Sequence, residues 1–182
     1  MKKIKFIVIT IFILIFTGCG KPVELSTLQN RQGTYYSINS QKPYSGKFVN
    51  YYQNGQIEQE GSLKNGLLDK DYISYYQNGQ RRVQSAYKAG VPHGKLVAFY
   101  ENGEKKCELS YQNGKFEGSN IVYATFFNPK YEVIFKNGRI IKELKYSSNG
   151  EVFSVREEGE NQFDSEAIEK FFRAQVAFLK LI

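Results

Sequence analysis

Between residues 44 and 138 apolar and polar side chains alternate along short segments, and the pattern starts again every 24 residues. Alternation at period two marks half-buried β-strands. One face of successive strands carries Gln59, Gly61 and Leu63, then Val83, Ser85 and Tyr87, then Cys107, Leu109 and Tyr111, then Tyr131, Val133 and Phe135. The other carries Glu58, Glu60, Ser62 and Lys64, then Arg82, Gln84, Ala86 and Lys88, then Lys106, Glu108, Ser110 and Gln112. The first face grows more apolar towards the C-terminus and the second stays polar. The return strands are expected to add Val49 with Tyr51, Ile73 with Tyr75, Val97 with Phe99, and Ile121 with Tyr123 to the apolar face.

The segments are separated by turn signals. Asn-Gly occurs seven times, beginning at Asn54, Asn65, Asn78, Asn102, Asn113, Asn137 and Asn149, and Ala89-Gly90 fills one further turn position. Both residues of Asn-Gly tolerate positive φ, so the pairs predict type I′ hairpin turns. From Asn54 the turns fall 11, 13, 11 and 13 residues apart, which leaves one strand between each pair of turns. Consecutive hairpins make an antiparallel meander. A fixed period of this length signals a repeat architecture, and such folds present binding surfaces.

Stacking places like residues in rows. Tyr51, Tyr75, Phe99 and Tyr123 form one row, and Tyr87, Tyr111 and Phe135 another. Aromatic neighbours on one face stabilise a sheet by roughly 0.2–1 kcal/mol per pair. A parallel row of Tyr52, Tyr76 and Tyr100 is expected on the opposite face near the turns. It reads either as packing or as a candidate binding surface for a partner. Gly46, Gly94 and Gly118 share a column that suggests a bend, and Lys70 in that column suggests that not every repeat needs it.

Tyr51-Tyr52-Gln53-Asn54-Gly55 returns as Tyr75-Tyr76-Gln77-Asn78-Gly79 and Phe99-Tyr100-Glu101-Asn102-Gly103, with Leu63-Lys64-Asn65-Gly66 and its counterparts half a repeat later. With a glycine opening the next strand, these motifs resemble the bacterial variant of the MORN repeat. The resemblance covers residues 44–138, with partial units at 31–43 and 139–150. It implies an all-β meander of stacked hairpins. It also implies a protein-binding role, since similar proteins serve as antitoxin or immunity components in some bacterial toxin systems, and others are linked to membrane surfaces. It assigns no site residue.

The ends differ from the repeats. Met1 to Lys5 is basic and Phe6 to Phe16 is an apolar run of signal-peptide length, followed by Thr17-Gly18-Cys19. This resembles the lipobox of bacterial lipoproteins, with Phe16 in place of the usual Leu. It implies removal of residues 1–18, lipidation of Cys19 and a membrane-anchored protein of the cell envelope. The other reading, an uncleaved anchor, is disfavoured because the run is shorter than the ~20 residues a spanning helix needs. Residues 19–30 are expected to form a tether, 31–150 the repeat sheet and 151–182 a C-terminal cap. In that cap Asp164 or Ser165 is a candidate N-cap, and Ile168, Phe171, Phe172, Val176 and Leu179 recur at helical spacing. The helix is expected to cover the apolar end of the sheet; the alternative is docking on a partner or membrane. Phe126-Phe127-Asn128-Pro129 stands where the fourth Asn-Gly turn would be, so that hairpin must turn differently.

Charge and chemistry narrow the function. The chain carries a net +7, which falls to +4 without Lys2, Lys3 and Lys5, and no basic run concentrates it. That is no nucleic-acid footprint. With Cys19 lipidated, Cys107 is alone, and its column and phase read as core. The single histidine, His93, shares its column with Ser45, Asp69 and Glu117 and reads as a variable loop position. No second histidine or cysteine pair has metal-ligand spacing, so no metal or cofactor is expected. No Gly-x-Ser-x-Gly or P-loop occurs. The sequence therefore reads as a non-enzymatic, membrane-anchored repeat protein that binds a protein partner, in one version a toxin. The alternative is a structural envelope protein whose sheet associates with itself, lipid or cell wall.

Overall fold

The computed structural model describes residues 20–123, 130–157 and 165–175. The elements follow in chain order. β1 (Val23–Glu24) leads through a 3-10 turn (Leu25–Thr27) to the hairpin β2 (Leu28–Arg31) and β3 (Thr34–Ser37). Then come β4 (Gly46–Tyr51), β5 (Ile57–Lys64), β6 (Leu67–Tyr75), β7 (Arg81–Lys88), β8 (Val91–Phe99) and β9 (Lys105–Gln112). After these follow β10 (Lys115–Phe116), β11 (Gly118–Tyr123), β12 (Lys130–Lys136), β13 (Arg139–Tyr146), β14 (Val152–Glu157) and the helix α1 (Ser165–Gln175). The repeats make one 12-stranded sheet in the order β1-β4-β5-β6-β7-β8-β9-β11-β12-β13-β14, with β10 paired to β9. The fold is an all-β antiparallel meander, as the turn spacing predicts, with a C-terminal helix, as the spacing of Ile168, Phe171 and Phe172 predicts.

The stretch expected to be a tether is built into the fold from Val23 onward. β1 lies parallel to β4, and β2 pairs with β3. Val23, Leu25 and Leu28 pack against a core of Tyr35, Phe48, Leu63, Leu68 and Tyr72. These apolar side chains cover the first repeat, which would otherwise leave its inner side bare. At the other end the sheet runs past residue 150, because β14 pairs with β13.

The register corrects one expectation about the faces. Phe48 pairs with Gly61, Tyr72 with Gly61 and Ser85, and Leu96 with Ser85 and Leu109. These residues therefore share the inner, buried face with Val83, Ala98, Cys107 and Val133. Val49, Ile73, Val97 and Ile121 pair instead with Glu60, Gln84, Glu108 and Glu132, on the outer face. A one-residue difference in register exchanges the faces of a whole strand. Both sides of these return strands are apolar enough that alternation alone did not separate them.

The turns are of two kinds, where one was expected. Asn65-Gly66, Ala89-Gly90, Asn113-Gly114 and Asn137-Gly138 have positive φ at both residues, as type I′ turns require. At Asn54, Asn78, Asn102 and Asn149 only the following glycine is left-handed. There Gly55 donates its N–H to the Tyr52 carbonyl at 2.9 Å, and the Asn54 side chain accepts the Gln56 N–H at 3.0 Å. Asn78, Asn102 and Asn149 repeat that side-chain bond. The asparagine serves here as an acceptor, the other property that suits it to turns.

Lys70 corrects a further expectation. It adopts φ +70°, as Gly94 does at +99° and Gly118 at +67°, so the column bends left-handed at the lysine, whereas Gly46 at the head of the column does not. The pairing shifts between Gly61 and Leu63, opposite Lys70, as at a bulge. A β-carbon in this conformation costs roughly 1–2 kcal/mol, partly offset in glycine by its extra unfolded-state entropy. Lys70→Gly is therefore expected to raise stability by about 0.5–1 kcal/mol in urea unfolding. A loss of stability would show that the lysine side chain matters more than the backbone strain.

Helix α1 lies on the C-terminal part of the inner face. Phe172 is fully buried, with its ring 6.0 Å from Phe116, 6.3 Å from Phe135 and 5.9 Å from Tyr131. Asp164, Val176, Leu179 and the Phe126–Pro129 turn lie outside the described residues.

Candidate functional site

The outer face is a continuous ordered surface. Glu24, Val49, Glu60, Ile73, Gln84, Val97, Glu108, Ile121, Glu132, Leu144 and Val155 pair in that order across eleven strands. Up to Leu144 an aliphatic side chain alternates with a carboxylate or amide. Adjacent strands are ~4.8 Å apart, so like side chains recur at roughly 9–10 Å. From Glu60 to Leu144 the row is half-exposed apart from the exposed Gln84; Val49 is buried, and the ends, Glu24 and Val155, are exposed.

A second outer row braces the first. Tyr75 donates its hydroxyl to Glu60 at 2.7 Å, Tyr123 to Glu108 at 3.0 Å and Tyr146 to Glu132 at 2.8 Å. The Lys105 bond, at 2.6 Å, holds the Glu108 carboxyl below its usual range. Burial works against Glu132, but bonds from Ser119, Tyr146 and Lys130 bring its carboxyl down as well. Burial first, and then the bonded carboxylates, push the Tyr75 and Tyr123 phenols up to about 12.

These shifts set a pH dependence. A lowered carboxyl stabilises the fold above its unfolded value of 4.5, and this stability is lost as pH falls through the folded value. A raised phenol stabilises the fold below 10.0, and this is lost as pH rises towards 12. The urea midpoint is thus expected to fall between about pH 10 and 12 together with tyrosinate formation. Ionisation of Tyr75 and Tyr123 with an ordinary midpoint near pH 10, while the fold stays intact, would contradict the Tyr–Glu pairs.

Tyr52, Tyr76 and Tyr100 occupy the turn edge, one residue beyond β4, β6 and β8. Each is half-buried and donates its hydroxyl to a main-chain carbonyl 23 residues later. The acceptors are Tyr75 at 2.6 Å, Phe99 at 2.7 Å and Tyr123 at 3.5 Å. The row fastens each repeat to the next, and the rings alone remain for any partner.

The opposite edge has its own fastening, which sequence reading missed. Ser45 accepts the Asn65 N–H at 2.8 Å, Asp69 that of Ala89 at 3.4 Å, His93 Nδ1 that of Asn113 at 3.4 Å and Glu117 that of Asn137 at 2.7 Å. The His93 column varies in size and charge, but every member is a hydrogen-bond acceptor. That shared property was the available signal. Beside it Gly66, Gly90 and Gly114 donate to the carbonyls of Tyr44, Leu68 and Pro92, each 22 residues earlier. His93 is thereby occupied in holding a turn.

Cys107 is fully buried, and burial pushes its thiol up to about 11, so it is a protonated core residue at neutral pH. No group of His, Cys, Asp or Glu among the described residues could hold a metal. No described helix is long and apolar enough to cross a membrane. Cys19 lies outside the described residues.

Both edge fastenings and the outer row repeat with the hairpin, and the hairpin is the unit of comparison with known proteins. Residues 44–65 and 92–113 match the MORN repeat variant. The first match takes in β4, β5 and Tyr52; the second takes in β8, β9 and Tyr100. They start two periods apart, and the unmatched hairpin of β6 and β7 has the same pairing, with Tyr76 in register. MORN repeats are generally modules of protein or membrane interaction. No curated protein matches the chain.

Proposed function

We propose that this chain is a non-enzymatic, membrane-anchored interaction protein whose MORN-type sheet holds a protein partner in the cell envelope. The carrying observation is the outer row, where half-exposed aliphatic side chains are flanked by the carboxylates Glu60, Glu108 and Glu132, each fixed by a tyrosine hydroxyl, and by the amide of Gln84. Such a surface combines apolar area with polar groups whose ordering is already met in the free protein, which lowers the entropic cost of association. Tyr52, Tyr76 and Tyr100 are a second candidate row, through their rings. Lipid on Cys19 supplies the anchor, since two or more acyl chains give stable attachment. The finer reading, in which the partner is a toxin and this chain its immunity component, rests on the family resemblance.

The test is affinity purification of the full chain from envelope extract, with palmitate labelling of the same material. Ile73→Lys with Ile121→Lys should abolish recovery of a stoichiometric protein while the fold persists, and Cys19→Ser should remove the label. Recovery unchanged by the lysines would exclude the outer face, and a label that survives Cys19→Ser would exclude the anchor. A second reading, contact with cell-wall glycan, is favoured by the recurrence of Tyr75, Phe99 and Tyr123 every second strand, roughly 9–10 Å. The disaccharide step of a β-1,4-linked glycan is of similar length. Co-sedimentation with purified wall in place of a protein partner would select it.

A further inference from the structure

Between α1 and the β12–β13 end of the inner face lies a shallow, open cavity of about 360 Å³ lined by Tyr131, Glu143, Lys145, Ala167, Ile168 and Phe171. Its floor is polar and its wall apolar. Glu143 is 4% exposed; it accepts the Tyr131 hydroxyl at 2.8 Å and Arg156 at 3.2 Å, and the Lys145 ammonium stands 3.7 Å away. One buried carboxylate therefore faces two cations. On the helix, Glu166 and Lys170 are exposed and opposite in sign, so they leave this excess unchanged.

The wall is formed by the Ile168 and Phe171 side chains and the Tyr131 ring. Phe171 meets that ring edge-on at 5.8 Å and remains 41% exposed, although its neighbour Phe172 is fully buried. The volume lies within the range of small-molecule sites, roughly 300–1,000 Å³, and an apolar wall with a few convergent polar groups is their usual composition.

We propose that this cavity binds an amphiphilic monoanion, a carboxylate carried on a short alkyl or aromatic body. The carboxylate meets Lys145, which is exposed and, at 3.7 Å, beyond hydrogen-bond distance of Glu143. The body lies along Ile168, Phe171 and Tyr131. The charge balances, because the ligand's anion matches the cation that Glu143 leaves over. A neutral or cationic ligand would leave that cation unmatched beneath the ligand. The chemistry has two sources, a free carboxylic acid or the carboxylate of an apolar C-terminal residue of a polypeptide. The site is separate from the outer face, so it stands or falls independently of the partner surface.

Calorimetric titration of the full chain in lipid nanodiscs, with empty nanodiscs as blank, tests it with 3-phenylpropionate and its neutral alcohol, 3-phenylpropanol. The acid should bind saturably and the alcohol about ten-fold more weakly. Lys145→Gln should weaken the acid about five-fold without affecting the alcohol, as expected for loss of a charge-assisted bond. Phe171→Ala should weaken both. An unchanged circular dichroism spectrum would show that the variants fold. Absence of saturable binding, equal affinity for acid and alcohol, or indifference to Lys145→Gln would each overturn the proposal. A peptide ending in a free leucine carboxylate that displaces the acid, when its amide does not, assigns the ligand to a polypeptide terminus. Failure of both peptides assigns it to the free acid.

Discussion

Phe172→Ala is expected to lower stability by about 3–5 kcal/mol, the range for removing a buried aromatic ring from a packed core. The ring is fully buried and sits among Phe116, Phe135 and Tyr131. Its removal leaves a hole between a helix and a sheet, two elements that cannot collapse together without losing other contacts. Phe116 and Phe135 are themselves 2% and 3% exposed, and part of that burial depends on the helix. Urea unfolding at fixed pH measures the effect. A loss below about 1 kcal/mol would mean that α1 contributes little to closing the inner face.

The second large effect belongs to the tyrosine edge. Replacing Tyr52, Tyr76 and Tyr100 together by phenylalanine keeps the rings and removes three hydrogen bonds to main-chain carbonyls. At about 0.5–1.5 kcal/mol for each net bond, the triple variant should lose about 2–3 kcal/mol. Tyr100→Phe should account for the smallest share, because its bond of 3.5 Å is much longer than the 2.6 and 2.7 Å of the other two. The three losses should be less than independent if repeats unfold together, since each bond joins neighbouring hairpins. Unchanged stability with loss of partner recovery would assign the hydroxyls to binding and overturn their role as fasteners.

Much of the architecture was legible because it repeats. Asn-Gly pairs at alternating intervals require hairpins, and hairpins in series require a meander. The buried positions of β5, β7, β9 and β12 follow from alternation, since Leu63, Val83, Leu109 and Val133 lie where the apolar phase puts them. The return strands were not legible in the same way. Tyr72-Ile73-Ser74-Tyr75 carries a large side chain on both sides, and only the pairing of Tyr72 with Gly61 and Ser85 decides which side turns inward. The candidate tyrosine row could be named from the sequence. The carbonyls that its hydroxyls reach are 23 residues away and carry no side-chain signature. Ser45, Asp69, His93 and Glu117 look unrelated until a neighbouring turn presents an N–H to each of them.

The period, the turns and the apolar phase belong to the sequence, because they depend on residues within a few positions of one another and on the steric demands of Asn-Gly and alternating side chains. Which face is buried, how the edges are fastened and the cavity under α1 belong to the tertiary structure. They depend on groups 12 or more residues apart, such as Tyr131 and Glu143 or Tyr52 and the carbonyl of Tyr75, whose meeting depends on register and on where the helix comes to rest.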